Sequence, residues 1–297
     1  MNLILLNMSV CDMTISVTGT PLTFVAAVYR RWIFGDLVCE VYGFAMSVVG
    51  MTQIGTLTAI AVERYIIMSK PYSSTRMTPK RSGLIIACTW FYSLGLCLPP
   101  LFGWSHYILE PPGIGCSVDW LSTTKNNVSY IIYLFTVGFA IPVSVMVFCY
   151  SHIIWKVRKA PRRTGKSHAE RAEQRLTLMV ATMIISTLTA WTPYAVVSLI
   201  MALGFSHVLG PLSTVSPAIF AKSSVVYNPI VYFFLNPQIQ KAMMNCSKCY
   251  QTNIASQPQQ EISLVTNNLT GRWNPTTENQ SPLRSEQNAS FLKRSNQ

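Results

Sequence analysis

Residues 215–235 read VSPAIFAKSSVVYNPIVYFFL, an apolar run interrupted by one cation, Lys222, and bracketed by Pro217 and Pro229. A run of this length and hydropathy crosses a bilayer as a helix. A bare ammonium at such depth costs roughly 3 kcal/mol or more, so a lysine inside a span has a partner or a covalent job. Formation of a Schiff base with an aldehyde is one such job.

The rest of the chain shares this solvent preference. Of 297 residues, 11% are charged and 50% hydrophobic, and the mean hydropathy is +0.32. Soluble chains carry about a quarter charged residues, so the composition is that of a membrane protein. Windows of roughly 20 apolar residues predict an all-α bundle of six spans: 3–28, 39–68, 84–102, 130–155, 176–203 and 214–235. Arg64, Lys70, Arg76, Lys80 and Arg81 lie between spans two and three, and Lys156, Arg158, Lys159, Arg162, Arg163, Lys166, Arg171 and Arg175 between four and five. The opposite connectors hold only Arg30, Arg31 and Lys125. The basic loops are therefore expected in the cytoplasm, with both termini. The formal charge of +12 reflects topology, and a nucleic-acid partner is not expected, because the basic residues flank spans and build no basic domain. The apolar run starts at Met1 without a basic leader, so no cleavable signal peptide is expected.

After residue 236 the character changes. Residues 237–248 are short and amphipathic, as expected of a helix lying on the membrane surface. The stretch 251–297 is rich in Asn, Gln, Ser and Thr and reads as disordered, which divides the chain into a bundle, 1–249, and a cytoplasmic tail, 250–297. Of eight cysteines, Cys11, Cys88, Cys97 and Cys149 fall inside spans and read as small apolar residues. Cys39 and Cys116 both lie on the outer side, where oxidation is permitted, and a disulfide between them is expected. Cys249, with Cys246, follows the surface helix at a position suited to palmitoylation. Asn127-Val128-Ser129 is a sequon on the outer face and a candidate glycosylation site. The sequons at Asn268, Asn279 and Asn288 fall in the tail, away from the transferase.

Several polar residues would be costly on a lipid-facing helix and are expected to face the interior or a partner. Asp12 lies inside span one and Glu63-Arg64-Tyr65 closes span two. Trp191-Thr192-Pro193-Tyr194 and Asn228-Pro229-Ile230-Val231-Tyr232 put proline kinks in spans five and six. Each freed carbonyl needs a local donor.

In order, Leu6-Asn7, Asp12, Cys39, Glu63-Arg64-Tyr65, Trp90, Cys116, Pro142, Tyr150, Trp191-Thr192-Pro193-Tyr194 and Asn228 to Tyr232 resemble the rhodopsin-like class of G-protein-coupled receptors over residues 2–249. Phe220-Ala221-Lys222-Ser223-Ser224 narrows the resemblance to the opsins. It implies a rhodopsin-like helical bundle, retinal (11-cis or all-trans) carried by Lys222 as a Schiff base, and Trp191 and Tyr194 in the pocket. It implies a G-protein partner met by Glu63, Arg64, Tyr65, Asn228, Pro229 and Tyr232, with Glu63 and Glu173 holding Arg64 in the dark. Arrestin and a receptor kinase would act on tail residues such as Ser263, Thr276, Thr277, Ser281 and Ser285, and the localisation would be multi-pass in the plasma membrane. The family has seven spans, and this chain begins where the family's second helix begins, so six of the seven are expected.

A protonated Schiff base in a dry pocket loses its proton unless an anion is near. In vertebrate visual pigments that anion is a glutamate three residues after the span-two cysteine, where this chain has Tyr42. Glu110, six residues before Cys116, matches the family's other counterion position, used by pigments that keep retinal after illumination. The resemblance is thus nearer non-visual opsins such as encephalopsin and neuropsin. No metal-ligand cluster, phosphate loop or catalytic triad is present, and the reading is a light-sensing receptor rather than an enzyme. A retinal photoisomerase using the same pocket, and a non-signalling variant, are the alternatives.

Overall fold

The structure, a computed structural model, describes residues 2–69, 78–111, 113–159, 168–205, 210–235, 240 and 244–245. The chain divides into two units, Met1–Pro237 and Gln238–Gln297, and the architecture below belongs to the first. The expected surface helix, apart from residues 240, 244 and 245, lies outside the described residues, as do Cys249, the tail phosphoacceptors and the bundle–tail boundary.

The elements in chain order are α1 (Asn2–Thr14), a π-helical turn (Ile15–Gly19), α2 (Thr20–Val28), α3 (Asp36–Ser69), α4 (Pro79–Cys97), a 3₁₀ turn (Pro99–Phe102), β1 (Tyr107–Glu110), β2 (Gly115–Val118), α5 (Lys125–Tyr133), a second π turn (Leu134–Ala140), α6 (Ile141–Lys159), α7 (His168–Ala202) and α8 (Pro211–Leu235). Six segments among the described residues are long and apolar enough to cross a membrane: Leu3–Val28, Asp36–Ser69, Pro79–Phe102, Lys125–Lys159, Glu173–Ala202 and Ser216–Leu235. The six expected spans are all present. Spans two, three and four run past their apolar windows because capped or charged termini continue the helices. Thr78 accepts from Arg81 N and precedes Pro79 at the start of α4, while Lys156, Arg158 and Lys159 sit in the last turn of α6, where the helix dipole favours cations.

Helix α3 is the axis of the bundle. It buries residues along its whole length, from Cys39 to Arg64, and packs against α1, α4, α6, α7 and the hairpin. Where prolines remove donors, tyrosines supply them. The Leu96 carbonyl would ordinarily accept from residue 100, which is proline, and Tyr130 donates to it instead at 2.8 Å. The Val137 carbonyl lies in the π turn ahead of Pro142, which has no N–H to offer, and Tyr92 donates to it at 2.5 Å. Tyr107 donates to the Cys97 carbonyl at 2.7 Å. Burial pushes the Tyr107 phenol up in pKa, which keeps it a neutral donor.

The all-α expectation needs one amendment. The outer connector folds as an antiparallel hairpin, with Tyr107 opposite Val118 and Glu110 opposite Gly115. A two-stranded ribbon is marginal alone; this one is stapled to α3 by the Cys39–Cys116 disulfide, Cα–Cα 5.4 Å. The strands are only four residues each, too short for alternation to declare them in sequence.

A candidate chromophore site and a polar lock

The hairpin and the proline-kinked helices enclose a cavity of about 170 Å³. The site residues named from the sequence, Tyr42, Glu110, Trp191, Tyr194 and Lys222, all line it. At its end Lys222 Nζ donates to Glu110 Oε2 at 2.7 Å. Glu110 is 2% exposed, and its other oxygen, Oε1, is buried with no hydrogen-bond donor among the described residues. It is the one carboxylate lining the cavity among the described residues. The other acid of the connector, Asp119, is used elsewhere: its Oδ1 accepts from the N–H groups of Leu121 and Ser122 at 2.9 and 3.0 Å, and Oδ2 lies 3.3 Å from His106 Nε2. Lys222 is less buried than an isolated lysine in an apolar run suggests: its side chain is 41% exposed, because a second cavity of about 240 Å³ opens beside it toward Thr23 of α2.

Two glycines make room here. A Cβ at Gly115 would stand 2.9 Å from Lys222 Nζ, and one at Gly50 would stand 3.0 Å from the Trp191 ring. Trp191 Nε1 donates to Ser224 Oγ at 3.1 Å, tying the α7 kink to α8 two residues from Lys222. The sequence reading missed Trp120, Phe135 and Phe139, which also line the cavity. The i, i+4 spacing of the two phenylalanines was the available signal, but lipid-facing aromatics have the same spacing. These residues suit an elongated apolar ligand with an aldehyde: the walls are aromatic and aliphatic, and an amine beside a fixed anion waits at one end.

At the other end of the bundle Arg64, with a side chain 3% exposed, contacts Glu63 at 3.3 Å and Glu173 of α7 at 2.6 Å. Tyr65 packs edge-on against His152 at 5.0 Å and beside Phe148 at 5.8 Å, so it joins α3 to α6 instead of entering the arginine cluster. Midway, Asp12 accepts from Gln53 at 2.5 Å and from Asn228 at 3.3 Å, which answers its burial within the described residues. Asn7 links Thr56 and Trp90 at 3.2 and 3.0 Å. Pro229 and the backbone of Tyr232 continue α8 past Asn228.

One expectation is corrected. Asn127 is 1% exposed; its amide nitrogen donates to the Ser122 carbonyl at 2.7 Å and its oxygen accepts from Ser105 Oγ at 2.5 Å. With both ends of its amide engaged and its side chain buried, Asn127 is not presented to a glycosyl transferase in this fold.

The chain matches the family model described as 7 transmembrane receptor (rhodopsin family) over residues 1–232. It is 36% identical over 252 residues to rhodopsin of Sminthopsis crassicaudata, covering 84% of this chain and 72% of that protein. It is 34% identical over 259 residues to melanopsin of Phodopus sungorus, covering 84% and 55%, and 35% identical over 257 residues to the GQ-coupled rhodopsin of Mizuhopecten yessoensis, covering 82% and 52%. The chain thus spans about half the length of the melanopsin and of the GQ-coupled rhodopsin. Squid rhodopsin, a crystal structure, superposes with a TM-score of 0.77 at 30% identity, covering 84% of this chain and 76% of that one. On sequence, on fold and on the disulfide-tethered hairpin above a cavity ending in lysine, this multi-pass membrane chain belongs to the rhodopsin family of seven-transmembrane receptors and, within it, to the opsins.

Proposed function

We propose that the protein is a light-sensing G-protein-coupled receptor of the plasma membrane, carrying retinal through a Schiff-base bond to Lys222. The observation that carries this reading is the 2.7 Å contact between Lys222 Nζ and Glu110 Oε2 at the end of an apolar cavity. Retinal, when bound, supplies light absorption and a light-driven change of shape. The chain's own residues do the rest. Glu110 holds the proton on the linking nitrogen, since a nearby anion favours the charged form. Trp191, wedged over Gly50 and bonded to Ser224, stands where a change of ligand shape bears on the Pro193 kink of α7.

Movement of α7 separates Glu173 from Arg64, and the freed Arg64 receives the G protein on the cytoplasmic side. This is a two-state element biased by the ligand. Coupling to a heterotrimeric G protein is supported by family membership, and one relative is named for GQ coupling. Arrestin and a receptor kinase on the tail, palmitoylation at Cys249, and an inward-facing C-terminus belong to the same reading. The pairing of Tyr42 with Glu110 favours a pigment that keeps retinal after illumination, as non-visual opsins do.

The test is Lys222→Ala. Reconstituted with 11-cis-retinal, the wild-type chain is expected to give a visible band that changes on illumination, and the variant none, with equal protein in the membrane fraction. Acid-trapped retinal still attached to the variant would falsify the assignment. Light-dependent nucleotide exchange on a G protein separates a receptor from a photoisomerase, which would isomerise and release retinal without exchange.

A further inference from the structure

Helix α3 ends at Ser69 without a basic residue in its last turn. The last carbonyls of a helix lack N–H partners and form the negative end of its dipole, so a cation placed there is stabilising. Helix α6 has three cations in its last turn, Lys156, Arg158 and Lys159, and uses two of them differently. Lys159 Nζ lies over the exposed ring of Trp155, 4.9 Å from its centroid. Lys156 is half-buried and crosses to α3, where its Nζ donates to the Ser69 carbonyl at 2.8 Å. Helix α6 thus lends α3 the terminal cation that α3 lacks.

This contact is the last of a series. Tyr65 and Ser69 stand one turn apart on α3, and Phe148, His152 and Lys156 follow one another at one-turn spacing on α6. Residues four apart share a helix face, so the two stripes meet rung by rung. Tyr65 lies beside Phe148 at 5.8 Å and edge-on to His152 at 5.0 Å, and Ser69 meets Lys156 one turn further on. The aromatic rungs pack, and the terminal rung is a hydrogen bond strengthened by a full charge. Helix α7 is tied to the same region by less. Tyr150 of α6 reaches the Thr177 carbonyl at 3.5 Å, long for a hydrogen bond, and Glu173, which meets Arg64, is 48% exposed.

We infer that Lys156 is a positioning residue that, by capping α3 from α6, fastens the ends of these two helices into one frame beside Arg64, against which α7 moves alone. Lys156 touches neither Arg64 nor Glu173 in any contact given above and acts through the α3 terminus. The inference deepens the proposed signalling reading by naming what stays fixed when the arginine cluster opens.

The experiment uses the retinal-free full chain in detergent and distances between spin labels, read by double electron–electron resonance. Labels are attached at exposed positions: Ile66→Cys of α3 with Ile154→Cys of α6, and Ile66→Cys with Leu178→Cys of α7. Cys88, Cys246 and Cys249 are replaced by serine, and the Cys39–Cys116 disulfide is kept. Lys156→Met is expected to add a longer-distance population to the α3–α6 pair and to leave the α3–α7 pair as in wild type. Glu173→Gln is expected to do the reverse. Lys156→Arg, which can still donate to a carbonyl, is expected to restore the wild-type α3–α6 distribution, a rescue that a general loss of packing would not show. Lys156→Ala gives a second deletion of the ammonium if the methionine variant does not fold. An unchanged α3–α6 distribution in Lys156→Met or Lys156→Ala, a Lys156→Arg variant that behaves like Lys156→Met, or an α3–α6 distance that lengthens in Glu173→Gln overturns the inference. Because no arm needs retinal, light or a G protein, a wild-type chain that takes up no retinal defeats the proposed function separately.

Discussion

Each end of the bundle pairs one cation with a carboxylate from another element, but the roles of fixed and movable partner are reversed. Toward the hairpin the anion is fixed: Glu110 is 2% exposed on a disulfide-tethered strand, and the lysine that reaches it is 41% exposed. At the far end the cation is fixed: the Arg64 side chain on α3 is 3% exposed, and its α7 partner Glu173 is 48% exposed. In each pair the buried member is the one its surroundings hold and the exposed member the one that can leave, and removing the exposed partner strands the buried charge. The contrast teaches that the first pair is suited to holding a protonation state and the second to opening.

Glu110→Gln carries the largest expected effect. Without the anion the linking nitrogen loses its proton more easily, so the pigment is expected to change from visible-absorbing to ultraviolet-absorbing near neutral pH. The sign follows from the anion favouring the protonated form. The visible band should return on acidification or on adding halide, and a spectral pH titration checks both. A visible band persisting to alkaline pH in chloride-free buffer would put the counterion elsewhere and remove the asymmetry between the two ends.

Next is the staple under the fixed anion. Cys39→Ala or Cys116→Ala is expected to cost about 2–4 kcal/mol of stability, read as a lower thermal midpoint of the detergent-solubilised chain and as weaker retinal uptake. Peptide mapping that finds both thiols free in the folded wild type would remove the reason for calling Glu110 fixed.

The far end should respond least in stability and most in signalling. Glu173→Gln is expected to raise nucleotide exchange in the dark by about fivefold, the equivalent of a pair worth about 1 kcal/mol, with the absorption band unmoved. Arg64→Ala should abolish the light response and leave the spectrum alone. If Glu173→Gln instead shifted the absorption band and left exchange unchanged, the division of labour between the two pairs would fail.

Much of this was legible in the chain. A lysine within an apolar helix announces a partner, and Cys39 and Cys116 announce a staple on the oxidising side. Glu63-Arg64-Tyr65 marks a charge cluster at a helix end. The Asn127 sequon shows the limit of such reading. A motif records that a side chain can be modified but not whether the fold buries it, and here the side chain is buried against Ser105 and Ser122. Tyr65 stands beside Arg64 in the motif, and because neighbours on a helix point about 100° apart its ring packs on α6.

Hydropathy, period and the chemistry of single residues were enough to decide the six spans and the special status of Lys222, because solvent preference and charge are properties each residue carries with it; Glu110 was singled out only by the resemblance to the opsins. Which oxygen faces the lysine, which face of α3 meets the hairpin and which hydroxyl meets Thr23 are properties of pairs far apart in the chain. Thr23 and Tyr42 are 19 residues apart, and Glu110 and Lys222 are 112 apart. Only packing brings such groups within hydrogen-bond distance, because a residue's own chemistry says what it can bond and not what the fold places beside it.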